Sequence, residues 1–113
     1  MIETVVLNYL NDELPFPAYM EKPSKNIPDQ YYLIEKTGRD ETEHITYSTL
    51  AIQSYAKSLY DAANMSNEMV KVMKGIIQYN CVTRCDLNAE YNFTDPDTQE
   101  YRYQAVFDIK HYE

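Results

Sequence analysis

The N-terminal part of the chain has the hydrophobic pattern of one helix followed by extended segments. Its apolar residues recur at i, i+3, i+4, i+7 and i+8, and they are Ile2, Val5, Val6, Tyr9 and Leu10. This spacing predicts an amphipathic helix that packs one face against a core. We expect the helix to end near Leu14, because Pro15 and Pro17 interrupt backbone hydrogen bonding. A short extended piece, Ala18–Glu21, and a polar loop, Pro23–Pro28, should follow.

The next segments predict a β-hairpin. Gln30–Lys36 is rich in tyrosine, leucine and isoleucine, which favours a buried strand. Thr37–Glu41 supplies turn residues, and the β-branched and aromatic stretch Glu43–Gln53 is expected to return as the second strand.

Helical spacing returns after Ser58 and predicts a second helix. The apolar positions that show this spacing are Leu59, Ala62, Ala63, Met69, Val70, Met73, Ile76 and Ile77. Ser58 and Asp61 resemble a capping box at the start of this helix. Gly75 is expected to weaken its last turn.

A second and longer hairpin is predicted at the end of the chain. Seven residues alternate with polar neighbours and should form one core-facing row: Cys81, Thr83, Cys85, Leu87, Ala89, Tyr91 and Phe93. Thr94–Thr98 has the proline and aspartates of a turn. The returning strand alternates in the same way, with Tyr101, Tyr103, Ala105, Phe107 and Ile109 on the core side.

These elements predict one α+β domain over residues 1–113, in the order α-β-β-β-α-β-β. The expected architecture is a two-layer sandwich, in which two α-helices cover one face of a mostly antiparallel β-sheet. The longest apolar run, Tyr31–Ile34, is too short for a membrane-spanning helix, so no membrane association is expected. The N-terminus has no basic region typical of a signal peptide, which favours synthesis in the cytoplasm.

Composition and charge exclude several common classes of site. The chain has 113 residues and two glycines, Gly38 and Gly75, so no glycine-rich phosphate loop and no hydrolase nucleophile elbow can be written in it. Eighteen acidic against ten basic residues give a net charge of −8, which disfavours affinity for nucleic acid or anionic lipid.

A few side chains could in principle carry chemistry. A zinc site would need Cys81 and Cys85 together with His44 and His111, but two cysteines four positions apart on a strand lie about 13 Å apart. We therefore expect structural thiols and neither a metal nor a cofactor. The cluster Asp40, Glu41, Glu43 and His44 places a base beside acids, but a solvated turn explains it equally well, and we expect no enzymatic activity.

Twelve tyrosines form an unusual excess in a chain without tryptophan. Tyrosine offers a large contact area with a polar tip, so the excess is typical of a protein that buries surface against partners. Alternatively, tyrosine simply builds the core, and the sequence leaves both interpretations open.

Four segments together resemble a known family. They are Tyr31–Gly38, Ala51–Ala56, Tyr91–Thr94 and Tyr101–Asp108. In this order the chain resembles the small tail-completion or tail-terminator proteins of long-tailed bacteriophages and prophages, also called head-to-tail joining or minor tail U-like proteins. None of the segments is a catalytic signature, and the similarity depends on their combination.

The resemblance implies a structural subunit that forms a hexameric ring on the head-proximal end of the tail tube. Its partners would be copies of itself, the tail-tube protein and a head-side connector or neck protein. The ring would be assembled in the bacterial cytoplasm, would lie at the head–tail junction of the virion, and would let DNA pass without specific binding.

We assign candidate interface or lumen residues from charge and turn position. They are Arg39, Asp40, Glu41, Asp95, Asp97, Tyr101 and Arg102. The four acids among them would repel the passing DNA.

An acidic protein-binding module, such as a nucleic-acid mimic, is the main alternative. A mimic should arrange its acids along one stripe, whereas Arg84, Arg102 and Lys110 interleave with acids on the predicted strands.

Overall fold

A computed structural model describes residues 1–98 and 100–112 of the chain. Two α-helices, α1 (Ile2–Glu13) and α2 (Leu59–Met73), accompany five strands, and a 3₁₀ segment, Lys74–Gln78, extends α2. The strands are β1 (Ala18–Tyr19), β2 (Tyr31–Thr42), β3 (Ile45–Ala56), β4 (Val82–Asn92) and β5 (Tyr101–Tyr112). They form one sheet in the order β1-β2-β3-β5-β4.

The sheet is mixed, with one parallel pair at its edge. β1 runs parallel to β2, and the other neighbouring pairs are antiparallel. Because α2 connects β3 to β4, and β5 then returns between them, the two central strands are far apart in sequence. The predicted α+β fold and its element order are confirmed.

Both helices contribute to one core with a single face of the sheet. Alternate residues of β3 and β5, such as Leu50, Ile52, Phe107 and Ile109, are at most 2% exposed and point toward the helices. The helices supply the opposing layer, in which the buried residues are Ile2, Val6, Tyr9, Leu10, Ala62, Met65, Met69 and Met73. This arrangement is the two-layer packing expected when amphipathic elements bury one face each.

The predicted helix boundaries agree with the structure. α1 ends at Glu13, one residue before its C-cap Leu14. The Ser58 hydroxyl accepts a hydrogen bond from the backbone N–H of Asp61 at 3.1 Å, which confirms the predicted cap. The α-helical part of the second helix ends at Met73, and Ile77 in the following 3₁₀ segment is exposed rather than buried.

The first hairpin turns later than the sequence predicts. Thr37–Glu41 lies within β2, and the turn consists of Glu43 and His44, whose φ angles are 52° and 70°. Two positive φ values in a two-residue loop are typical of a type I′ turn. Gly38 marks a β-bulge next to Lys36 instead of a turn, so the predicted turn position is wrong.

The predicted core row along residues 81–93 is confirmed only in part, because Cys81 and Cys85 pack against the core, whereas Tyr91 and Phe93 are exposed. β4 is an edge strand with bulges between Val82 and Arg84 and between Leu87 and Ala89. Each bulge inserts one residue and moves the following side chains to the other face of the sheet. As a result Val82, predicted to be solvated, is buried, whereas Tyr91 is exposed.

Candidate assembly surface

The sheet face opposite the helices is hereafter called the outer face. Its centre consists of alternate residues of β3 and β5. The residues from β3 are Tyr47, Thr49, Ala51, Gln53 and Tyr55, and those from β5 are Arg102, Gln104, Val106, Asp108 and Lys110. Both described helices lie on the other face, so the outer face is covered only where loop residues fold over it.

One end of the outer face carries a packed aromatic group. Tyr31 and Tyr55 are cross-strand partners whose rings stack at 4.7 Å between centroids, and Tyr19 meets Tyr31 edge-on at 6.0 Å. Lys22, from the loop after β1, forms an ion pair with Glu100 at 2.8 Å. Burial raises the pKa of the Tyr31 hydroxyl to about 12, so this group stays neutral at physiological pH.

Arg102 joins this aromatic group to the end of β4. Its guanidinium lies 4.7 Å from the centroid of the Phe93 ring and 5.7 Å from that of Tyr55. Its Nε donates to the Phe93 carbonyl oxygen at 2.6 Å, and its Nη1 donates to the Tyr55 hydroxyl at 3.0 Å. The predicted interface residue Arg102 therefore lies on the outer face, where internal contacts fix its position.

Tyr101 does not share that face. Adjacent residues of a strand point to opposite sides of a sheet. The Tyr101 side chain is half-buried and packs against the core on the helix side.

The other end of the outer face is polar, with a shallow groove of about 400 Å³ between β3, β5 and β4. Asp86 and Asp108 are direct cross-strand partners there. Arg84 pairs with Asp86 at 2.6 Å, and the Asp108 carboxylate accepts hydrogen bonds from Thr49 and Asn88. Acidic and basic groups thus alternate in this groove and do not form a continuous acidic stripe.

The predicted acidic residues lie at opposite ends of the sheet. Asp40 and Glu41 precede the type I′ turn, whereas Asp95 and Asp97 lie between β4 and β5. The strand rise separates the two pairs by about 30 Å, so one subunit does not bring them together. Asp95 has a local role, because its Oδ1 accepts a hydrogen bond from the Asp97 N–H at 2.9 Å, which lowers its pKa.

Arg39 immediately precedes Asp40 and Glu41 in β2, at the edge of the sheet. It forms an ion pair with Glu41, two residues along the same strand. The pair lies on the helix side of β2, since Arg39 and Glu41 are the partners of Ser48 and Thr46, whereas Asp40 is the partner of outer-face Tyr47.

Cys81 and His111 line one small cavity beside α1. His44 is in the exposed turn, and His111 is buried on β5 between β3 and β4, where its Nε2 lies 2.8 Å from the Ser48 hydroxyl. Both cysteines are free and half-buried against the core. Within residues 1–98 and 100–112, no group of three or more His, Cys, Asp and Glu side chains is arranged to hold a metal ion.

The twelve tyrosines divide between the core and the surface. Four tyrosines are buried, namely Tyr9, Tyr31, Tyr32 and Tyr55. Five are exposed, namely Tyr47, Tyr60, Tyr79, Tyr91 and Tyr112. Tyr47 and Tyr91 lie on the outer face, where they offer contact area to a partner.

Local sequence patterns carry no signal for the two sheet edges. β1 pairs with β2 only at Tyr32 and Leu33. Among the described residues, no strand pairs with Gly38–Thr42 of β2 on the side away from β3, so this stretch is an open sheet edge. The other open edge is the side of β4 that faces away from β5. These edges depend on the order of strands in the sheet, which local patterns do not reveal.

Comparison with known proteins adds no family assignment. No protein-family model matches the chain, and no curated protein is significantly similar to it. No helix among the described residues is long and apolar enough to cross a membrane.

Proposed function

We propose that this protein is a structural subunit of phage or prophage virions that caps the head-proximal end of a long tail tube. The cap would end polymerisation of the tube and join it to the head connector. The observation that carries the proposal is the one-sided fold, in which the helices cover one sheet face and leave the outer face and both edges to other subunits.

The position of the segments that resemble tail terminators supports this proposal. Tyr31–Gly38 lies in β2, Ala51–Ala56 in β3 and Tyr101–Asp108 in β5, which are neighbours in the sheet. The resemblance therefore falls on adjacent strands that share one face. A subunit of this kind acts through shape and surface complementarity.

Charge also supports a role beside DNA. Net charge of −8 and acidic residues at both ends of the sheet would let a polyanion pass through a ring without adhering. The alternating charges in the outer-face groove do not favour a nucleic-acid mimic, which needs acids spaced along one stripe.

The first test is assembly with the tail-tube protein of the same phage. We expect the purified protein to shorten tubes in electron micrographs and to sediment with their ends, and light scattering should report a ring alone or on the tube. Tubes of unchanged length, with no protein bound at their ends, would contradict the proposal.

Two exposed tyrosines provide a matched control for the role of the outer face. Tyr91 is on the outer face and 41% exposed, whereas Tyr60 is on α2 and 75% exposed. Tyr91→Ala should weaken capping, whereas Tyr60→Ala should not, because only the former removes contact area from the proposed assembly surface. Equal effects would show that the outer face has no special part in capping.

A further inference from the structure

The two open sheet edges have opposite strand directions. β2 and β5 run in the same direction, because both are antiparallel to β3. β4 is antiparallel to β5 and therefore also to β2. A second copy rotated about an axis along the strands would place its β2 antiparallel to β4 of the first copy. Unpaired backbone groups at such edges readily accept another strand.

We infer that neighbouring copies of this chain join head to tail, with β2 of one copy pairing with β4 of the next. This inference rests on the proposed function and specifies the contact that would build its ring. Such a heterologous contact uses two different surfaces of each subunit, and it closes into a ring when the rotation between copies divides a full turn.

The charges favour one register for this pairing. Each edge has a regular stretch next to a bulge, Gly38–Thr42 in β2 and Arg84–Leu87 in β4. In the register that places Asp40 opposite Arg84, both side chains belong to the outer face and opposite charges face one another. A shift by two residues would instead place Asp40 opposite Asp86, which is unfavourable because like charges opposite one another destabilise a sheet.

The exposure of both edges is consistent with an external partner. Asp40 and Thr42 on β2 are exposed, as are Arg84 and Asp86 on β4. Leu87, an apolar residue at the β4 edge, is 41% exposed. A second copy fits both edges because the two edge strands would be antiparallel, each has a regular stretch, and the opposite charges of Asp40 and Arg84 would meet.

Cysteine cross-linking tests the pairing directly. In a Cys81→Ala, Cys85→Ala background, Asp40→Cys with Arg84→Cys should form disulfide-linked ladders beyond the dimer under mild oxidation. The out-of-register control combines Asp40→Cys with Asp86→Cys, and each single-cysteine variant is a further control. We expect about tenfold more cross-linking in the in-register pair, because the strands would hold its thiols at disulfide distance.

The experiment is run on the protein alone and on the protein mixed with tail-tube protein, with assembly followed by light scattering. Rings that cap tubes without in-register cross-links would overturn the inference and leave the proposed function intact. Dimers from a single-cysteine variant would also overturn it, because they indicate symmetric pairing. Ladders without any effect on tubes would support the pairing and contradict the capping function. Failure to assemble in either sample would contradict both.

A charge exchange provides a second measurement that needs no new thiol. Asp40→Arg should place two arginines opposite one another and reduce the ring fraction about fivefold or more. Adding Arg84→Asp should restore it. If both variants assemble like the wild type, Asp40 and Arg84 are not partners and the register is wrong.

Discussion

Gly75 is the residue at which the absence of a side chain matters most. The Tyr9 hydroxyl donates a hydrogen bond to the Val72 carbonyl oxygen at 2.7 Å and fixes α1 against the end of α2. A Cβ atom at position 75 would lie 2.6 Å from that hydroxyl oxygen. Glycine therefore permits the close approach of the buried Tyr9 ring.

We expect Gly75→Ala to lower the free energy of unfolding by about 1 kcal/mol, because the added methyl group displaces the Tyr9 hydroxyl. In a Tyr9→Phe background the same substitution should be neutral or stabilising, since the clashing atom is gone. Urea denaturation of the four proteins measures this coupling. Equal effects of Gly75→Ala in both backgrounds would exclude the contact as its cause.

Cys85 provides a pH-dependent contribution to stability. Burial raises the pKa of its thiol to about 12, and Asp86 adds to the shift. The unfolded chain loses this proton near the ordinary value of 9.0, so the contribution is complete below pH 9 and disappears as pH rises toward 12. We expect Cys85→Ala to lose less stability between pH 8 and pH 10 than the wild type does.

Urea midpoints at the two pH values provide the measurement. Tyr31 and Tyr32, whose pKa values are also raised by burial, remain in both proteins and provide a common background. Cys81→Ala is the matched control and should behave like the wild type. Parallel pH profiles for the wild type and Cys85→Ala would refute the assignment.

At the scale of elements, the turn between β2 and β3 can be improved. Glu43 and His44 adopt positive φ angles, which asparagine and glycine adopt at lower cost. Glu43→Asn with His44→Gly should raise the free energy of unfolding by about 1 kcal/mol. Glu43→Ala with His44→Ala should not, because alanine shares the unfavourable positive φ. The thermal midpoints of the two double variants decide the question.

The elements that the sequence predicts well are those with uninterrupted periodicity. β5 keeps strict alternation from Tyr101 to Ile109, and its core residues are as expected. β4 has an equally clear pattern, but its bulges shift it, so that Cys85 keeps the predicted core face and Tyr91 moves to the outer face. A bulge depends on how the neighbouring strand pairs, and no local pattern in residues 81–93 indicates it.

The candidate site was predictable only where it is local in sequence. Arg102 was identified from its position after the turn, but its contact with the Tyr31–Tyr55 stack joins residues far apart in the chain. The open edges follow from strand order, which arises when β5 inserts between β3 and β4. Pairing between strands that are far apart in the chain produces no periodic pattern in the sequence.

At the scale of the whole molecule, the acidic ends of the sheet should act independently. About 30 Å of strand separates Asp40 from Asp97, several times the Debye length of about 8 Å at physiological salt. We expect Glu41→Lys, next to Asp40 but outside its proposed pair with Arg84, and Asp97→Lys each to increase retention of DNA by the assembled protein, with additive effects when combined. Retention at low and high salt, measured by fluorescence anisotropy, tests this. Asparagine at the same positions is the neutral control, and unchanged retention in the lysine variants would exclude a lumen position for both residues.

The long strands also have a mechanical consequence. The molecule measures 43 × 25 × 25 Å, and twelve-residue strands of about 40 Å must follow its long axis. Interstrand hydrogen bonds are perpendicular to antiparallel strands, so tension along this axis loads the whole β3–β5 ladder in shear. Tension across the sheet would instead open the bonds one at a time. The subunit should therefore resist force best along its strands, and a ring with strands parallel to its axis would direct this resistance along the tail.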